Sequence, residues 1–278
     1  MRARVKYWLV PGQRSIELIA ADYVAQRFSP HWHAGFAVGV VTRNMQGFRA
    51  NGRDWVVGPG DLILINPGQV HDGWSLHVEG WTSRMAYIPE STFASLKSGA
   101  NGGDHLPLRF QAPVLHAPAL AAMFAGWHAS TEGGRDGCDA MCMGDVLGAL
   151  MRLMRLMRSI PIATGLWKSG AALSFELGER LRKLSEEWPS VTSEWLPTPD
   201  VSRTTSWRRI RRHFGLGPQA LQTHLRLVAA KRLLAAGRPV ADTAHEIGCH
   251  DQSHFTRQFT AAYGMTPAQF RRAQFGTQ

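Results

Sequence analysis

The chain has 278 residues, of which 44% are apolar and 19% charged, a balance that builds a packed core and excludes wholesale disorder. Its length favours two domains. The formal net charge is +10 and is unevenly spread: residues 200–278 hold 12 Lys and Arg against 4 Asp and Glu, and the first 199 residues hold 19 against 17. A localised basic excess favours nucleic acid as partner, ahead of an anionic membrane surface or a merely solvated face.

The compartment follows from what the sequence lacks. Three cysteines show no paired spacing, which suits a reducing environment. The N-terminal segment has no apolar stretch of signal-peptide length. The longest apolar stretch, Val146 to Met157, is interrupted by two arginines. The sequence therefore predicts a cytoplasmic protein with no membrane partner.

Up to about residue 115, short apolar segments alternate with Gly, Pro and Asn-Gly turn residues. Examples are IELIAADYVA at 16–25, GFAVGVV at 35–41 and GPGDLILINPG at 58–68. Short β-friendly segments with this punctuation favour a sandwich or small barrel over a parallel sheet. The predicted N-terminal fold is therefore all-β.

After about Leu115 the pattern becomes helical. The segment GDVLGALMRLMRLMRS repeats apolar residues every three or four positions, as an amphipathic helix does. Its apolar stripe consists of Leu147, Leu150, Met151, Met154 and Met157. Two uses of this helix stay open, packing on its own domain and dimerisation. Residues 159–170 show no periodicity and indicate a linker, so the predicted domains are 1–165 and 171–278.

The end of the chain predicts two short helices around a tight turn. Residues 240–247 form the first, and Gly248 ends it because glycine tolerates a left-handed backbone. Asp251 or His250 caps the second helix. Its buried stripe consists of Phe255, Phe259 and Ala262. This arrangement is typical of a helix-turn-helix, whose second helix enters a major groove of DNA.

Polar side chains remain on that second helix once its apolar stripe is buried. A Gln side chain can donate one and accept one hydrogen bond at an adenine edge, and an Arg side chain can donate two to a guanine edge. The predicted DNA contacts of this unit are Gln252, Ser253, His254 and Arg257.

An arginine-rich segment, VSRTTSWRRIRRHFGLGP at 201–218, predicts another reading helix upstream. No acidic residue between Ser202 and Arg238 balances its arginines, which favours DNA contact over a solvated surface helix. Base contacts are predicted for Arg203, Thr204 and Arg208, and phosphate contacts for Arg211 and Arg212.

A connecting helix is predicted between the two units. Gly217-Pro218 is a pattern typical of a helix start, and Gly237 is typical of a helix end, so residues 219–236 are predicted to be helical. At about 1.5 Å per residue this helix is about 27 Å long. One turn of B-DNA is about 34 Å. We therefore expect the helix to hold two reading helices near successive major grooves.

These features resemble the DNA-binding domain of the AraC/XylS family of transcription regulators, over about residues 175–274. The stretch GCHDQSHFTRQFTAAYGMTPAQFRR resembles the family pattern of the second helix-turn-helix. The matching positions are Ala244, Gly248, Asp251, Ser253, Phe255, Arg257, Phe259, Gly264, Thr266, Pro267 and Arg271. The chain departs from the pattern at Cys249, at Ser206 and in SEWLPTPD, whose two prolines stand where an amphipathic helix is usual.

The N-terminal segments HWHAGFAVGVV and GPGDLILINPGQVHDGW resemble the cupin-type sensor domain of many such regulators, over about residues 15–90. Three histidines match cupin metal-ligand positions, but residues 34–38 lack the carboxylate that normally follows the second. A pocket for a small-molecule effector is therefore the favoured interpretation. The second is that these histidines only complete their hydrogen bonds at the mouth of the barrel, and a metal site is the third. The predicted effector contacts are His31, His33, His71 and Trp74.

Together the patterns predict an all-β cupin-like barrel with following helices, then an all-α domain with two helix-turn-helix units. The resemblance implies a sequence-specific, effector-responsive transcription regulator that is not an enzyme and needs no cofactor or metal. Its partners would be promoter DNA, a small-molecule effector, a second copy in a homodimer and RNA polymerase. A metal-dependent cupin enzyme with a basic tail is the alternative, and a nonspecific DNA-coating protein is a third hypothesis.

Overall fold

A computed structural model describes residues 3–97, 109–132, 140–159, 204, 207, 208, 211 and 216–275. The strands in this part of the chain lie in its N-terminal half. They are β1 Arg4–Val10, β2 Gln13–Tyr23, β3 Arg27–His31, β4 Phe36–Arg43, β5 Gln46–Ala50, β6 Arg53–Val57, β7 Asp61–Ile65, β8 His71–Ser75, β9 Trp81–Ile88 and β10 Val114–His116. The prediction of an all-β N-terminal domain is confirmed.

The strands form two antiparallel sheets, with orders β1-β2-β9-β4-β7-β10 and β3-β8-β5-β6. Buried side chains from both sheets, such as Ile19, Phe48 and Ile63, belong to one core between them. The predicted Asn51-Gly52 turn joins β5 to β6. In the described residues the two sheets are not linked into a continuous closed barrel, although they enclose a common interior as a barrel does.

Three helices follow or interrupt the strands: α1 Glu90–Lys97, α2 Pro118–Ser130 and α3 Ala140–Ser159. Of the α3 stripe, Leu147, Leu150 and Met154 are buried with α2 and the outer face of the six-stranded sheet, Met151 is half-buried, and the side chain of Met157 lies outside the described residues. Of the two uses left open for this helix, packing on its own domain is therefore the one observed.

The C-terminal domain contains α4 Pro218–Ala235, α5 Val240–Glu246, α6 Gln252–Tyr263 and α7 Pro267–Phe275. The predicted connecting helix is thus present as α4, shifted by one residue and 18 residues long. Its N-terminus follows the expected Gly217-Pro218 start. No helix within the described ranges is long and apolar enough to cross a membrane.

The C-terminal helices pack directly on the N-terminal strands. Tyr7 of β1 stacks at 5.3 Å, between ring centres, on Phe270 of α7. The Tyr7 hydroxyl accepts a hydrogen bond of 3.0 Å from Gln274. At the end of α6, a Cβ on Gly264 would lie 2.5 Å from the Tyr23 hydroxyl oxygen, so this close approach requires glycine. The two domains therefore share one continuous buried core.

Candidate DNA-reading and effector sites

The turn between α5 and α6 has the geometry that the sequence predicts. Gly248 adopts a left-handed backbone with φ of 70°, and its amide donates to the His245 carbonyl at 2.9 Å. The Cys249 amide donates to the Ala244 carbonyl at 2.9 Å. Asp251, rather than His250, caps α6, because its carboxylate accepts the His254 amide at 2.6 Å. The start of α6 is thereby fixed.

Burial divides α6 into two faces. Phe255 and Phe259 are fully buried, with ring centres 5.6 Å apart. The polar residues in the first half of the helix, which we call the reading face, are Gln252, Ser253, His254 and Arg257. His254 is half-buried and the other three are exposed. The structure therefore brings all four predicted contacts together on the first half of the helix.

Part of the upstream reading segment is also described. Thr204, Arg208 and Arg211 are helical and exposed, and their spacing of four and three places them on one face. The Arg211 guanidinium lies 5.0 Å from the centre of the Trp207 ring. Sequence reasoning missed this tryptophan, which holds an arginine by a cation–π contact. Arg203 and Arg212, also predicted to contact DNA, lie outside the described residues.

Two residues of α4 that sequence reasoning missed face the N-terminal domain. Nε2 of His224 lies 3.2 Å from the Trp32 amide nitrogen and 3.0 Å from its carbonyl oxygen. Lys231 forms an ion pair of 2.8 Å with Glu17 of β2. The sequence around His224 and Lys231 did not indicate a polar role for them, because their partners Trp32 and Glu17 are some 200 positions away in the chain.

Three histidines from two strands and a loop converge in the N-terminal domain. One nitrogen from each of His31, His33 and His71 lies within 4.8 Å of the others, and we call this group the histidine cluster. His31 ends β3 and pairs in register with His71 at the start of β8. Their ring centres are 4.4 Å apart, and the His33 ring lies 4.9 Å from that of His31.

Burial keeps the histidine cluster uncharged. Loss of hydration is the main cause that lowers the pKa of His31 and His33 well below the usual value, and neighbouring imidazoles add to the effect. The same loss of hydration lowers the pKa of His71. The sensor domain thus holds three neutral imidazoles in one place.

Trp74, the fourth predicted effector contact, is not brought to this cluster. Side chains alternate along β8, so Trp74 lies on the other face from His71. There its indole covers Gly47, where an added Cβ would lie 2.5 Å from the indole nitrogen. His31 and His71 line a cavity of about 50 Å³ between the sheets, which has no room for an organic effector.

A larger cavity of about 620 Å³ lies between the two domains, and we call it the interdomain cavity. Trp32, His33 and Tyr87 line it from the N-terminal domain. The C-terminal domain contributes Val228, Lys231, Arg232, Tyr263 and Phe270. Its size falls within the roughly 300–1,000 Å³ that is usual for small-molecule sites, and its walls are mainly apolar and aromatic. Of the predicted effector contacts, His33 alone lines this cavity.

Comparison with known families explains this pairing of a cavity with a helix-turn-helix. Residues 14–150 match the AraC-like ligand binding domain, and residues 200–273 match a helix-turn-helix domain. The chain belongs to the AraC family of transcription regulators. It is a DNA-binding regulator with an N-terminal ligand-binding domain, as its fold and family resemblance predict.

Relatives support the same assignment. The HTH-type transcriptional regulator YbfI of Bacillus subtilis is 23% identical over 245 residues, 86% of this chain and 85% of that protein. The transcriptional activator RhaS of Salmonella paratyphi B is 27% identical over 142 residues, half of each chain. Two ToxT structures from Vibrio cholerae share the fold at 12% identity. ToxT of strain O395 has a TM-score of 0.51 over 99% of both chains. An unsaturated fatty acid-bound form has 0.54 over 98% of this chain and 95% of ToxT.

Proposed function

We propose that the reading face on α6 and the exposed Thr204, Arg208 and Arg211 recognise one promoter sequence together. The observation that carries this proposal is the capped α6, whose buried phenylalanines leave Gln252, Ser253 and Arg257 exposed. Gln and Arg at the start of a helix can read base edges in the major groove. Arg203 and Arg212, in the same upstream segment, belong to this proposal as a base contact and a phosphate contact.

We further propose that the effector occupies the interdomain cavity and carries an acidic group. Arg14, Lys231 and Arg232 supply positive charge to a lining that also holds aromatic rings and two carboxylates, those of Glu17 and Glu90. Lys231 is held by Glu17, and an acidic effector would compete with Glu17 for the same ammonium group. The fatty acid in the related fold of ToxT supports an amphipathic acid.

The effector would act by shifting an equilibrium between two relations of the domains. Its contacts in the interdomain cavity span α4 and the N-terminal strands, so its affinity depends on how the domains are joined. Domains 1–165 and 171–278 would be the two bodies, with the linker outside the described residues. The protein would act in the cytoplasm by binding rather than catalysis, as a homodimer that contacts RNA polymerase. Because the α3 stripe is buried, a dimer would use another surface.

Selection of genomic fragments by the full-length protein at physiological salt tests the DNA-reading proposal. We expect one shared motif with two short elements about one helical turn apart. Arg211→Ala should weaken all fragments about equally and reduce the slope of log affinity against log salt by about 1. Recovery of fragments without a common motif, or an unchanged slope, would contradict the assignment.

Thermal stabilisation by fatty acids of stepped chain length tests the effector proposal, with the matching alcohols as controls. We expect the acids to stabilise the protein more than the alcohols do. The double variant Glu17→Gln/Lys231→Met removes both charges and should abolish the difference between acid and alcohol. An equal preference in the wild type and the double variant would refute the proposed role of Lys231.

A further inference from the structure

The histidine cluster is left without a function by the effector proposal. Of its members only His33 reaches the interdomain cavity, and the 50 Å³ space beside His31 and His71 excludes an organic molecule. His31 and His33 are buried and His71 is half-buried, and one nitrogen from each lies within 4.8 Å of the others. Their convergence therefore calls for a ligand of atomic size.

The hydrogen bonds of the cluster fix which nitrogens are available. Nδ1 of His31 lies 2.7 Å from the Ser29 carbonyl oxygen, and Nδ1 of His71 lies 2.9 Å from the Gln69 carbonyl oxygen. A carbonyl only accepts, so each Nδ1 carries the proton and donates it. The Nε2 of each neutral ring then keeps a free lone pair. Histidine ligands of metal ions are held in the same way, by donation from the other ring nitrogen to a backbone carbonyl.

The donor set selects the class of ion. Within the described residues the group consists of three imidazoles, with no carboxylate and no thiolate. Imidazole nitrogen suits zinc, nickel, cobalt and copper, whereas calcium and magnesium require oxygen ligands. Three histidines with an open fourth position are a known coordination pattern of zinc.

The cluster also touches the elements that connect the sensor to the DNA-reading unit. Between His31 and His33, the Trp32 backbone bonds to His224 of α4. Tyr263, the last residue of α6, has its ring centre 6.3 Å from that of His31 and 6.4 Å from that of His33. Among the described residues, the buried Tyr263 hydroxyl has no hydrogen-bond partner. A hydroxyl in this state is suited to bonding with an ion or its bound water.

We propose that His31, His33 and His71 bind one divalent ion of the zinc class, and that this ion couples the sensor domain to α4 and α6. By fixing the segment 31–33, the ion would stabilise the contact with His224. It would also supply the partner that the Tyr263 hydroxyl lacks. The effect on DNA binding rests on the proposed function, whereas the binding of the ion does not.

Titration of tag-free, EDTA-treated full-length protein with Zn²⁺ alone tests the site. We expect one ion per chain. His71→Gln keeps a polar side chain of similar size and should raise the dissociation constant more than the roughly 10–100-fold that loss of an outer partner costs. His77→Gln, which changes an exposed histidine of the same domain, should leave the dissociation constant unchanged.

Substitution with Co²⁺ tests the coordination and the coupling. The visible absorption of a tetrahedral cobalt site should appear in the wild type and be absent in His71→Gln. Tyr263→Phe should keep one ion but change this spectrum. For the wild type, Zn²⁺ should change the affinity for the selected DNA fragment by roughly 5–150-fold, the usual range of coupling between sites. Tyr263→Phe should reduce that change.

The outcomes separate the claims. Absence of binding, or binding that survives in His71→Gln with the melting temperature of that variant unchanged, overturns the site. Binding of one ion with identical DNA affinity in both forms overturns the coupling. A protein that binds one zinc ion and selects no DNA motif would support the site and contradict the proposed reading of DNA.

Discussion

The reading face and the histidine cluster are both polar, but they are built in opposite ways. The reading face lies within six consecutive positions of α6, is exposed, and depends on a local cap and on Phe255 and Phe259 beneath it. The histidine cluster draws residues that are 40 positions apart into a buried place, where they lose their charge. The polar groups proposed to bind DNA, a large and hydrated partner, thus stay on the surface. Those proposed to bind an ion have already lost their hydration when the protein folds.

The largest effect is expected from a substitution in the buried core that supports the reading face. Phe259 is fully buried and contacts Phe255, Tyr263 and Phe270 through its ring. Phe259→Ala should lower the free energy of unfolding by about 3–5 kcal/mol, because it leaves a cavity in the core of the domain. Urea unfolding measures this loss. Phe275→Ala, at an exposed ring, is the control and should change stability by less than about 0.5 kcal/mol.

Substitution on the reading face itself should have the complementary effect. Gln252→Ala and Arg257→Ala should each weaken binding to the selected motif by about 1–3 kcal/mol, since each loses a base contact. Their unfolding free energies should stay near the wild-type value because both side chains are exposed. Fluorescence anisotropy measures the DNA affinity, with Arg272→Ala on α7 as an exposed arginine control. Equal losses in Arg257→Ala and Arg272→Ala, with no loss in Gln252→Ala, would indicate a charge effect without base reading.

His128, a buried histidine outside the cluster, allows a test of whether burial lowers the pKa of a histidine in this protein. His128 donates from Nε2 to the Met85 carbonyl and accepts at Nδ1 from Arg84. Burial is the main cause that lowers its pKa to about 4. Below its ordinary pKa of about 6.5 the unfolded chain binds a proton that the folded chain refuses. Stability should therefore fall as the pH falls from about 6.5 towards 4.

The measurement is urea unfolding of wild type and His128→Gln at several values within that pH window. The wild-type slope should exceed that of the variant by up to about 1.4 kcal/mol per pH unit, the effect of one proton. The slope of His77→Gln should equal that of the wild type, because His77 is exposed. Parallel curves for wild type and His128→Gln would show that folding does not lower the pKa of His128.

The smallest expected effect concerns the cap of the reading helix. Asp251→Ala removes the acceptor of the His254 amide and should cost about 1 kcal/mol of stability. Asp251→Asn retains an acceptor and should recover most of this loss. Thermal unfolding compares the two variants. If both were equally destabilised, the carboxylate charge rather than the hydrogen bond would be the stabilising feature.

The sequence by itself determined the elements whose causes are local. Glycine at 248, a cap at Asp251 or His250 and the phenylalanine period of α6 lie within a few residues of one another, and the helix-turn-helix follows from them. The alternating apolar segments likewise predicted the β-rich N-terminal domain. The resemblance to cupin-type sensor domains implied that His31, His33 and His71 converge, and they do so in the structure, with His33 in the loop that follows β3.

Only the tertiary structure decided what joins the two domains. Trp74 is predicted to line the effector pocket, but it lies on the face of β8 opposite His71. His224, Lys231 and Tyr263 read as ordinary positions of amphipathic helices, and their partners Trp32 and Glu17 are about 200 residues distant. Periodicity reports which face of a helix is buried but not what it is buried against. The interdomain cavity, its charge and the contact of α6 with the histidine cluster therefore arise from docking of the domains.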